Sequence, residues 1–156
     1  MNNSQLNYEN DFYNWTRQQI ELLKTGRFNK LDTVHLIEEL EDMGKSQLRE
    51  LESRLIVLIA HLLKWQFQLS SLTEQWQEFE GKSWRKTIIE QRTQLLGLFE
   101  DMPSLKNKMP GAIIKVYPKA VLFAVDETSL PKNTFPDRCP YSTEQLMDKK
   151  FYPVNA

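Results

Sequence analysis

The segment LRELESRLIVLIAHLLKWQFQL, residues 48–69, carries the strongest structural signal in this 156-residue chain. A large apolar side chain recurs in alternating steps of three and four, at Leu48, Leu51, Leu55, Leu58, Leu62, Trp65 and Leu69. This heptad spacing is typical of an α-helix that buries one face. Between Leu55 and Leu63 nearly every residue is apolar. We therefore expect this helix to be central and to have neighbours on all sides.

The same stripe continues toward the N-terminus, with one stutter, through Thr33, Ile37, Leu40 and Gly44. Gly44 has two interpretations, because glycine is favoured where a helix ends but can also lie inside a helix that a neighbour approaches closely. The unbroken stripe favours the second interpretation. It predicts a single helix over residues 33–68, bent at most near Gly44, with Asp32 as its N-terminal cap.

The N-terminal residues give a weaker signal. Residues 1–9 have the pattern of a ragged start. Asn10 or Asp11 can then cap a first helix, because short polar side chains accept hydrogen bonds from the free N–H groups of a first turn. Gly26 lies where the end of that helix would place a residue with positive φ.

Two further helices are expected in the second half of the chain. Residues 70–83 form a polar connection that includes a short helix. A long helix is predicted from about Ser83 to Asp101. Pro110 can open another helix, and Pro118 should kink that helix or split it in two.

The last thirty residues change in character. Four prolines punctuate them, and only residues 142–148 have a helical pattern. No strand-like alternation in the chain is long enough to build a sheet. The sequence therefore predicts an all-α fold: a helical bundle of about four main helices with a long central helix, and an irregular proline-rich tail, residues 129–156, packed on it. We expect a single helical domain over residues 1–156.

Composition and charge exclude several classes of protein. The chain is 40% hydrophobic and 26% charged, which is ordinary for a globular protein. Its net charge of -1 gives no global attraction to nucleic acid or to an anionic membrane. The first twenty residues lack a signal peptide, and the apolar run 55–63 is far shorter than the ~20 residues that span a bilayer. With one cysteine, Cys139, these features predict a soluble cytoplasmic protein with no membrane partner.

Six segments spread over nearly the whole chain match the pattern of one protein family. They are DFYNWTRQQIELLKTGRF (11–28), HLIEELEDMGKSQLRELESRLIVLIAHLLKWQFQ (35–68), SWRKTIIEQR (83–92), ETSL (127–130), FPDRCPY (135–141) and FYP (151–153). In these segments the chain resembles the cyanobacterial-rich family catalogued as domain of unknown function 29. The resemblance implies a compact helical protein, usually cytoplasmic, and it implies no activity.

A candidate polar cluster consists of Arg54, His61, Trp65, Gln91 and Arg92. His61 lies beside the leucine stripe, where a buried imidazole needs a hydrogen-bond partner. The available candidates are Gln91, Arg92 and the acidic residues of the segment EELED (38–42). The cluster is either a polar network that fixes the register of the helices or a ligand-contacting site with His61 as a general base. The chain has no signature of a catalytic nucleophile, which favours the network.

A candidate acidic face consists of Glu38, Glu39, Glu41 and Asp42. His35 is nearby, but neither His35 nor His61 follows a glutamate by three residues, as a di-iron site in a bundle requires. On one continuous helix Glu39 and His61 also lie roughly 33 Å apart. We therefore interpret the face as a solvated surface whose carboxylates pair with Lys45 and Arg49. We predict no metal and no cofactor.

A basic stretch covers residues 82–119, which hold eight Lys or Arg against three acidic residues. Such a stretch can contact a phosphate backbone. It can equally be a solvated helix surface that pairs with the acidic residues 38–52 of the same chain. Because no nucleic-acid-binding motif accompanies it, we do not expect nucleic acid as a partner.

The sequence favours a non-enzymatic interaction or regulatory module that presents a surface to another protein. Trp76 and Phe79 are the candidate exposed aromatic residues of that surface. One alternative is a small enzyme or ligand-binding protein with its polar site around His61. Another is a nucleic-acid-associated or toxin–antitoxin-type partner that uses the basic stretch. Neither the identity of the partner nor the oligomeric state follows from the sequence.

Overall fold

The fold consists of α-helices joined by short 3-10 turns and coil. A computed structural model describes the backbone of residues 3–154 and the side chains of residues 7–154. The helices are α1 (Asn3–Asn10), α2 (Phe12–Lys24), α3 (Thr33–Phe67), α4 (Glu74–Asp101), α5 (Met109–Thr128) and α6 (Thr143–Met147). No strand occurs in this range. The prediction of an all-α helical bundle is confirmed.

Helix α3 runs without interruption through Gly44, as the apolar stripe predicts, and ends at Phe67. A Cβ atom built on Gly44 would meet no atom within 4 Å. The idea that a neighbour approaches closely at this glycine is therefore wrong. Neither α3 nor any other helix of the described range is both long enough and apolar enough to cross a membrane.

The chain divides into two compact units, and the boundary lies between Gln47 and Leu48, inside α3. We call them the N-terminal unit and the C-terminal unit. The N-terminal unit contains α1, α2 and the first part of α3, and the C-terminal unit contains everything from Leu48 onward. The expectation of one domain over the whole chain stays a prediction.

The C-terminal unit has a continuous apolar core around the second part of α3. The completely buried residues of α3 include four of the stripe and three beside it: Leu51, Leu55, Leu58, Leu62, Ile59, Ala60 and Leu63. Helices α4 and α5 pack around them. The tail adds Phe135, Tyr141 and Leu146 to the same core, so it packs on the bundle as predicted. Burial on several sides explains why this part of α3 is apolar all round.

Residues 3–10 form helix α1, where the sequence predicts a ragged start. Tyr8 provides the physical reason for this correction. Its ring stacks on His35 at 3.9 Å and meets Trp15 edge-on at 5.0 Å. Tertiary contacts therefore hold a segment whose own helical signal is weak. The boundary signals that follow are confirmed, since the Asp11 side chain accepts a hydrogen bond from the backbone of Asn14, and Gly26 has a φ of 70°.

Helices α4 and α5 are each more continuous than predicted. The polar connection and the short helix predicted within residues 70–83 largely belong to α4, which begins at Glu74. Glutamate, glutamine and lysine dominate that segment, and all three are good helix formers. Pro118 does not split α5. It removes the helical donor for the carbonyl of Ile114, but both residues lie on the exposed surface, where water can replace that donor.

Candidate functional site

The predicted polar cluster is divided over three places in the C-terminal unit. Nη1 of Arg54 donates to Oε1 of Gln91 at 3.4 Å. The ring of Trp65 and the guanidinium group of Arg92 both lie against the ring of Tyr152. The ring nitrogens of His61 contact Val57 and Lys64. None of the candidate partners, Gln91, Arg92 or an acidic residue of 38–42, is therefore the one that satisfies it. Helix geometry gives the reason, because a helical side chain reaches back most readily to its own preceding turn.

His61 is held by its own helix. Its Nδ1 lies 2.8 Å from the carbonyl oxygen of Val57, which can only accept a hydrogen bond, so Nδ1 carries the proton. The other ring nitrogen, Nε2, lies 3.5 Å from Nζ of Lys64. Burial, and then the charge of Lys64, lower the pKa of His61 below 6.5. A lone pair that faces a buried ammonium group is not open to a substrate, and this geometry favours the structural interpretation.

Lys64 lies at the centre of what we call the Lys64 cluster: His61, Lys64, Trp84, Phe123 and Glu127. Only 2% of Lys64 is exposed. Its Nζ donates to Oε2 of Glu127 at 2.8 Å and lies 5.2 Å from the centre of the Trp84 ring and 5.9 Å from that of Phe123. An ammonium group between two aromatic rings gains cation–π attraction. The cluster therefore ties α3 to α4 and to the last turn of α5.

A second cluster lies in the N-terminal unit, and we call it the Asp32 cluster: Tyr8, Trp15, Asp32, His35 and Glu39. Oδ2 of Asp32 accepts hydrogen bonds from Nδ1 of His35 at 2.7 Å and from Nε1 of Trp15 at 3.0 Å. The hydroxyl of Tyr8, whose ring stacks on His35, donates to Oε1 of Glu39 at 2.6 Å. One carboxylate thus orients the imidazole, and a second holds the aromatic ring that covers it.

These contacts move three pKa values in the Asp32 cluster. Burial raises the pKa of Asp32, but the hydrogen bonds from His35 and Trp15 outweigh it, and the net pKa lies below 3.8. The hydrogen bond to Asp32 raises the pKa of His35 above 6.5. The hydrogen bond to Glu39 raises the pKa of Tyr8 to about 12. Asp32 and His35 therefore form a carboxylate–imidazolium pair over a wider pH range than free side chains would.

The candidate acidic face is only partly a solvated surface. Glu38, Glu41 and Asp42 are exposed, but Glu39 is half-buried under Tyr8. No ion pair between these carboxylates and Lys45 or Arg49 forms among the described residues, so that predicted pairing is wrong. Exposed pairs contribute little free energy, which explains why their spacing alone does not bring them together.

Unlike the residues of the acidic face, one lysine of the basic stretch forms an ion pair. Lys115 of the basic stretch does pair with an acidic residue of the same chain, since its Nζ lies 2.9 Å from Oε1 of Glu52.

Within the part of the chain that the structure describes, no three His, Cys, Asp or Glu side chains lie together in a way that could hold a metal ion.

The tail and α5 enclose two adjacent cavities of about 430 and 500 Å³. Tyr117, Pro118 and Asp137 line both of them. The Tyr117 hydroxyl donates to the carbonyl of Pro136 at 2.5 Å, and burial raises the pKa of Tyr117 to about 12. Burial also raises the pKa of the Cys139 thiol. Cys139 lines only the larger of these two cavities, and a raised pKa leaves less of its thiol as the nucleophilic thiolate.

Comparison with known proteins identifies the family. The family model described as Domain of unknown function DUF29 matches residues 7–152, which is nearly the whole chain. The chain belongs to this family. No curated protein and no solved structure matches it. The match confirms the resemblance found in the sequence, and the DUF29 description assigns no activity to any residue named above.

Sequence reasoning missed two clusters of this DUF29 chain, although each had a local signal. Asp32 directly precedes α3 and His35 lies in its first turn, so a spacing of three residues brings the two side chains together. Lys64 directly follows the apolar run 55–63, and a buried lysine there needs a counter-charge. The partner, Glu127, is 63 residues away, and no spacing rule could have found it.

The two histidines should titrate on opposite sides of pH 6.5. We expect His35 above and His61 below that value, because Asp32 stabilises the charged imidazole whereas burial and Lys64 disfavour it. The stabilisation that His35 contributes is then complete below pH 6.5 and is lost as the pH rises through its raised pKa. His61 acts oppositely, since it destabilises the fold as the pH falls below 6.5.

The measurement is the NMR titration of the two imidazole Cε1–H signals. The control variant is Asp32→Asn, which should lower the pKa of His35 toward 6.5 and leave His61 unchanged. A His35 signal that titrates at or below 6.5 in the unaltered protein would contradict the assignment of the Asp32–His35 pair.

Proposed function

We propose that this chain is a non-enzymatic interaction or regulatory module whose N-terminal unit binds another protein through an exposed apolar surface. One observation carries the proposal. Among the described side chains of this unit, Trp15 is the only buried large apolar residue. Nine large apolar residues of the same unit are exposed: Phe12, Tyr13, Ile20, Leu23, Phe28, Val34, Ile37, Leu40 and Met43. Contiguous exposed apolar surface is characteristic of an interface.

The first part of α3 provides the clearest part of this surface. Val34, Ile37, Leu40 and Met43 follow one another at three-residue spacing, and each is more than half exposed. Neighbouring members at this spacing are adjacent on the helix surface, but each step of three falls about 60° short of a full turn, so the row winds around half of α3 from Val34 to Met43. We call them the α3 stripe. Ile37 and Leu40 form the exposed centre of this row, and adjacent apolar side chains on a helix are what a helix-binding groove on a partner recognises.

The contacts within the N-terminal unit support this interpretation. Tyr8 and Trp15 contact α3 through His35, Glu39 and Asp32, which are polar. At 3.6 residues per turn, the His35–Glu39 side and the Ile37–Leu40 side of α3 point about 150° apart. The unit therefore packs α1 and α2 against the polar side of α3 and leaves the apolar side uncovered, the reverse of what water alone would favour.

Charge indicates the chemistry of the partner. Glu38, Glu41 and Asp42 border the α3 stripe and are exposed. A partner with apolar side chains ringed by lysine or arginine would complement this surface. A second copy would instead bring the same carboxylates against one another, which is unfavourable. We therefore commit to a different protein with a basic rim.

A second exposed patch belongs to the C-terminal unit. Trp76 and Phe79 are 55% and 64% exposed, and their rings meet edge-on at 5.9 Å. Aromatic residues are enriched at interfaces. We propose this pair as a further contact for a protein partner. The single cysteine, Cys139, is free, which fits our proposal that the module acts in the cytoplasm.

The test begins with cross-linking and affinity capture from the source cell, followed by titration of the purified partner. The double variant Ile37→Gln/Leu40→Gln should lower the affinity about tenfold or more, because central apolar contacts contribute most to an interface. The matched control is Leu96→Gln/Leu122→Gln, which changes two exposed leucines of the C-terminal unit and should leave the affinity unchanged.

Light scattering of the purified chain gives the second measurement. We expect a monomer. A dimer that Ile37→Gln/Leu40→Gln dissociates would replace the proposed partner with a second copy of the chain. Equal loss of affinity in the control variant, or no loss in the stripe variant, would overturn the proposal.

A further inference from the structure

A small cavity in the C-terminal unit is lined by three cationic side chains and no acidic one. It lies between α4 and the end of the tail, has a volume of about 280 Å³, and is lined by Arg85, Ile89, Arg92, Thr93, Lys149 and Tyr152. Arg85, Ile89, Arg92 and Thr93 come from one side of α4 at helical spacing. Lys149 and Tyr152 come from the tail. Like charges converge here, and no carboxylate lines the cavity.

Arg92 is the buried member of this cavity. Only 3% of it is exposed. Its Nε donates to the carbonyl of Leu146 at 2.7 Å and its Nη2 to that of Gln145 at 3.1 Å. Nη1 is buried and has no hydrogen-bond partner among the described residues. A buried guanidinium group held only by neutral carbonyls leaves both a charge and a donor unsatisfied, which is unfavourable in a folded protein.

Arg85 and Lys149 have no structural task that explains their positions. Neither forms an ion pair within the described part of the chain. The guanidinium carbons of Arg85 and Arg92 lie 5.1 and 5.5 Å from the centre of the same Tyr152 ring. The ring thus holds two cations together. An anion in the cavity would relieve their repulsion and give each an acceptor.

We infer that this cavity, which we call the Arg92 cavity, binds a small phosphate-bearing molecule. Three charges line it, and Asp148 is the acidic residue that acts on Arg92 from nearby, so the local excess is about two positive charges. A phosphate monoester carries about -1.5 to -2 at neutral pH, which matches this excess better than a monocarboxylate does. Arginine forks also fit the geometry of phosphate oxygens.

The volume further limits the ligand. Pockets for drug-sized ligands usually span about 300–1,000 Å³, and the Arg92 cavity lies just below that range. It suits inorganic phosphate, pyrophosphate or a short phosphate ester. This site is distinct from both proposed protein-binding patches, because none of their residues lines the cavity.

The experiment measures the affinity of the full chain for inorganic phosphate and pyrophosphate by calorimetry at constant ionic strength. Arg85→Gln and Lys149→Met should each weaken binding about tenfold or more, because each removes a charge-assisted hydrogen bond. Both residues are exposed and unbonded within the described range, so both variants should fold. Arg92 is not substituted, because it also holds the carbonyl groups of α6.

Two matched controls come from neighbouring residues. Lys86→Gln and Lys150→Met remove exposed lysines next to Arg85 and Lys149 that do not line the cavity. Each should change the affinity less than about twofold, since dissolved salt screens the attraction between the ligand and an exposed charge outside the site. Amide NMR shifts on phosphate addition should be confined to α4 and the tail around Lys149.

Several results would overturn the inference. One is the absence of phosphate and pyrophosphate binding at millimolar concentration. Another is equal weakening in the control variants, which would indicate general charge attraction. Acetate that binds as tightly as phosphate would refute the ligand class. Binding of an oligonucleotide without binding of small phosphates would assign the cations to a nucleic-acid surface instead.

Discussion

Replacing Leu58 with alanine should lower the free energy of unfolding by about 2–5 kcal/mol, the range for deleting a buried leucine side chain. Leu58 is completely buried at the centre of the α3 core, between Leu55 and Leu62 of the same stripe. Helices α4 and α5 surround it, so the space left by the side chain can close only partly. Urea or guanidinium melts of both proteins provide the measurement.

The same substitution elsewhere in α3 gives the control. Leu40 is 66% exposed, and Leu40→Ala should change the free energy of unfolding by no more than about 0.5 kcal/mol. A loss below about 1 kcal/mol for Leu58→Ala would refute the core assignment of the stripe. A large loss for Leu40→Ala would show that the α3 stripe is covered in solution, and would count against the proposed binding surface.

Removing Glu127 should be the second most damaging change. Glu127→Leu leaves the ammonium of Lys64, which is 2% exposed, without its counter-charge. Removing one partner of a buried ion pair costs about 3–5 kcal/mol, and we expect about 3 kcal/mol because Glu127 itself is half exposed. The cost arises from Lys64 and not from the lost contact of Glu127.

A variant that removes Lys64 instead of Glu127 tests that explanation. Lys64→Met removes the buried charge and leaves Glu127, which can reach water, so stability should change by less than about 1 kcal/mol. The double variant Lys64→Met/Glu127→Leu should recover most of the stability lost in Glu127→Leu. Chemical melts of the four proteins at pH 7 measure all these values.

A spectroscopic measurement separates the charge of Lys64 from its packing. In Lys64→Met the pKa of His61 should rise toward 6.5, because the nearby ammonium group contributes to lowering it. Equal losses of stability in Lys64→Met and Glu127→Leu would mean that the two side chains matter through packing alone, and the explanation from the uncompensated charge would be wrong.

The spacing of polar residues along the sequence does not predict which of their side chains contact one another. The sequence grouped His61, Arg54 and Arg92 into one candidate polar cluster, of which His61 and Arg92 are buried and Arg54 is partly exposed. The structure gives each a different partner, because side-chain direction on α3 and α4 assigns them to different neighbours. Lys149 and Tyr152, which complete the Arg92 cavity, come from a tail segment with no periodic pattern.

Local sequence patterns alone were sufficient to predict α3, its continuity through Gly44, the all-α class and the tail that packs on the core. The helical features follow from the spacing of apolar side chains, and the irregular tail follows from its four prolines. Tertiary contacts alone determined that residues 3–10 are helical and that Lys64 is buried against Glu127. They also determined that the apolar residues in the first part of α3 are exposed while those in the second part are buried. The apolar stripe runs through both parts, but only the second part is also apolar on its flanks. The surrounding helices cover the second part of the stripe, and the first part is left open to water.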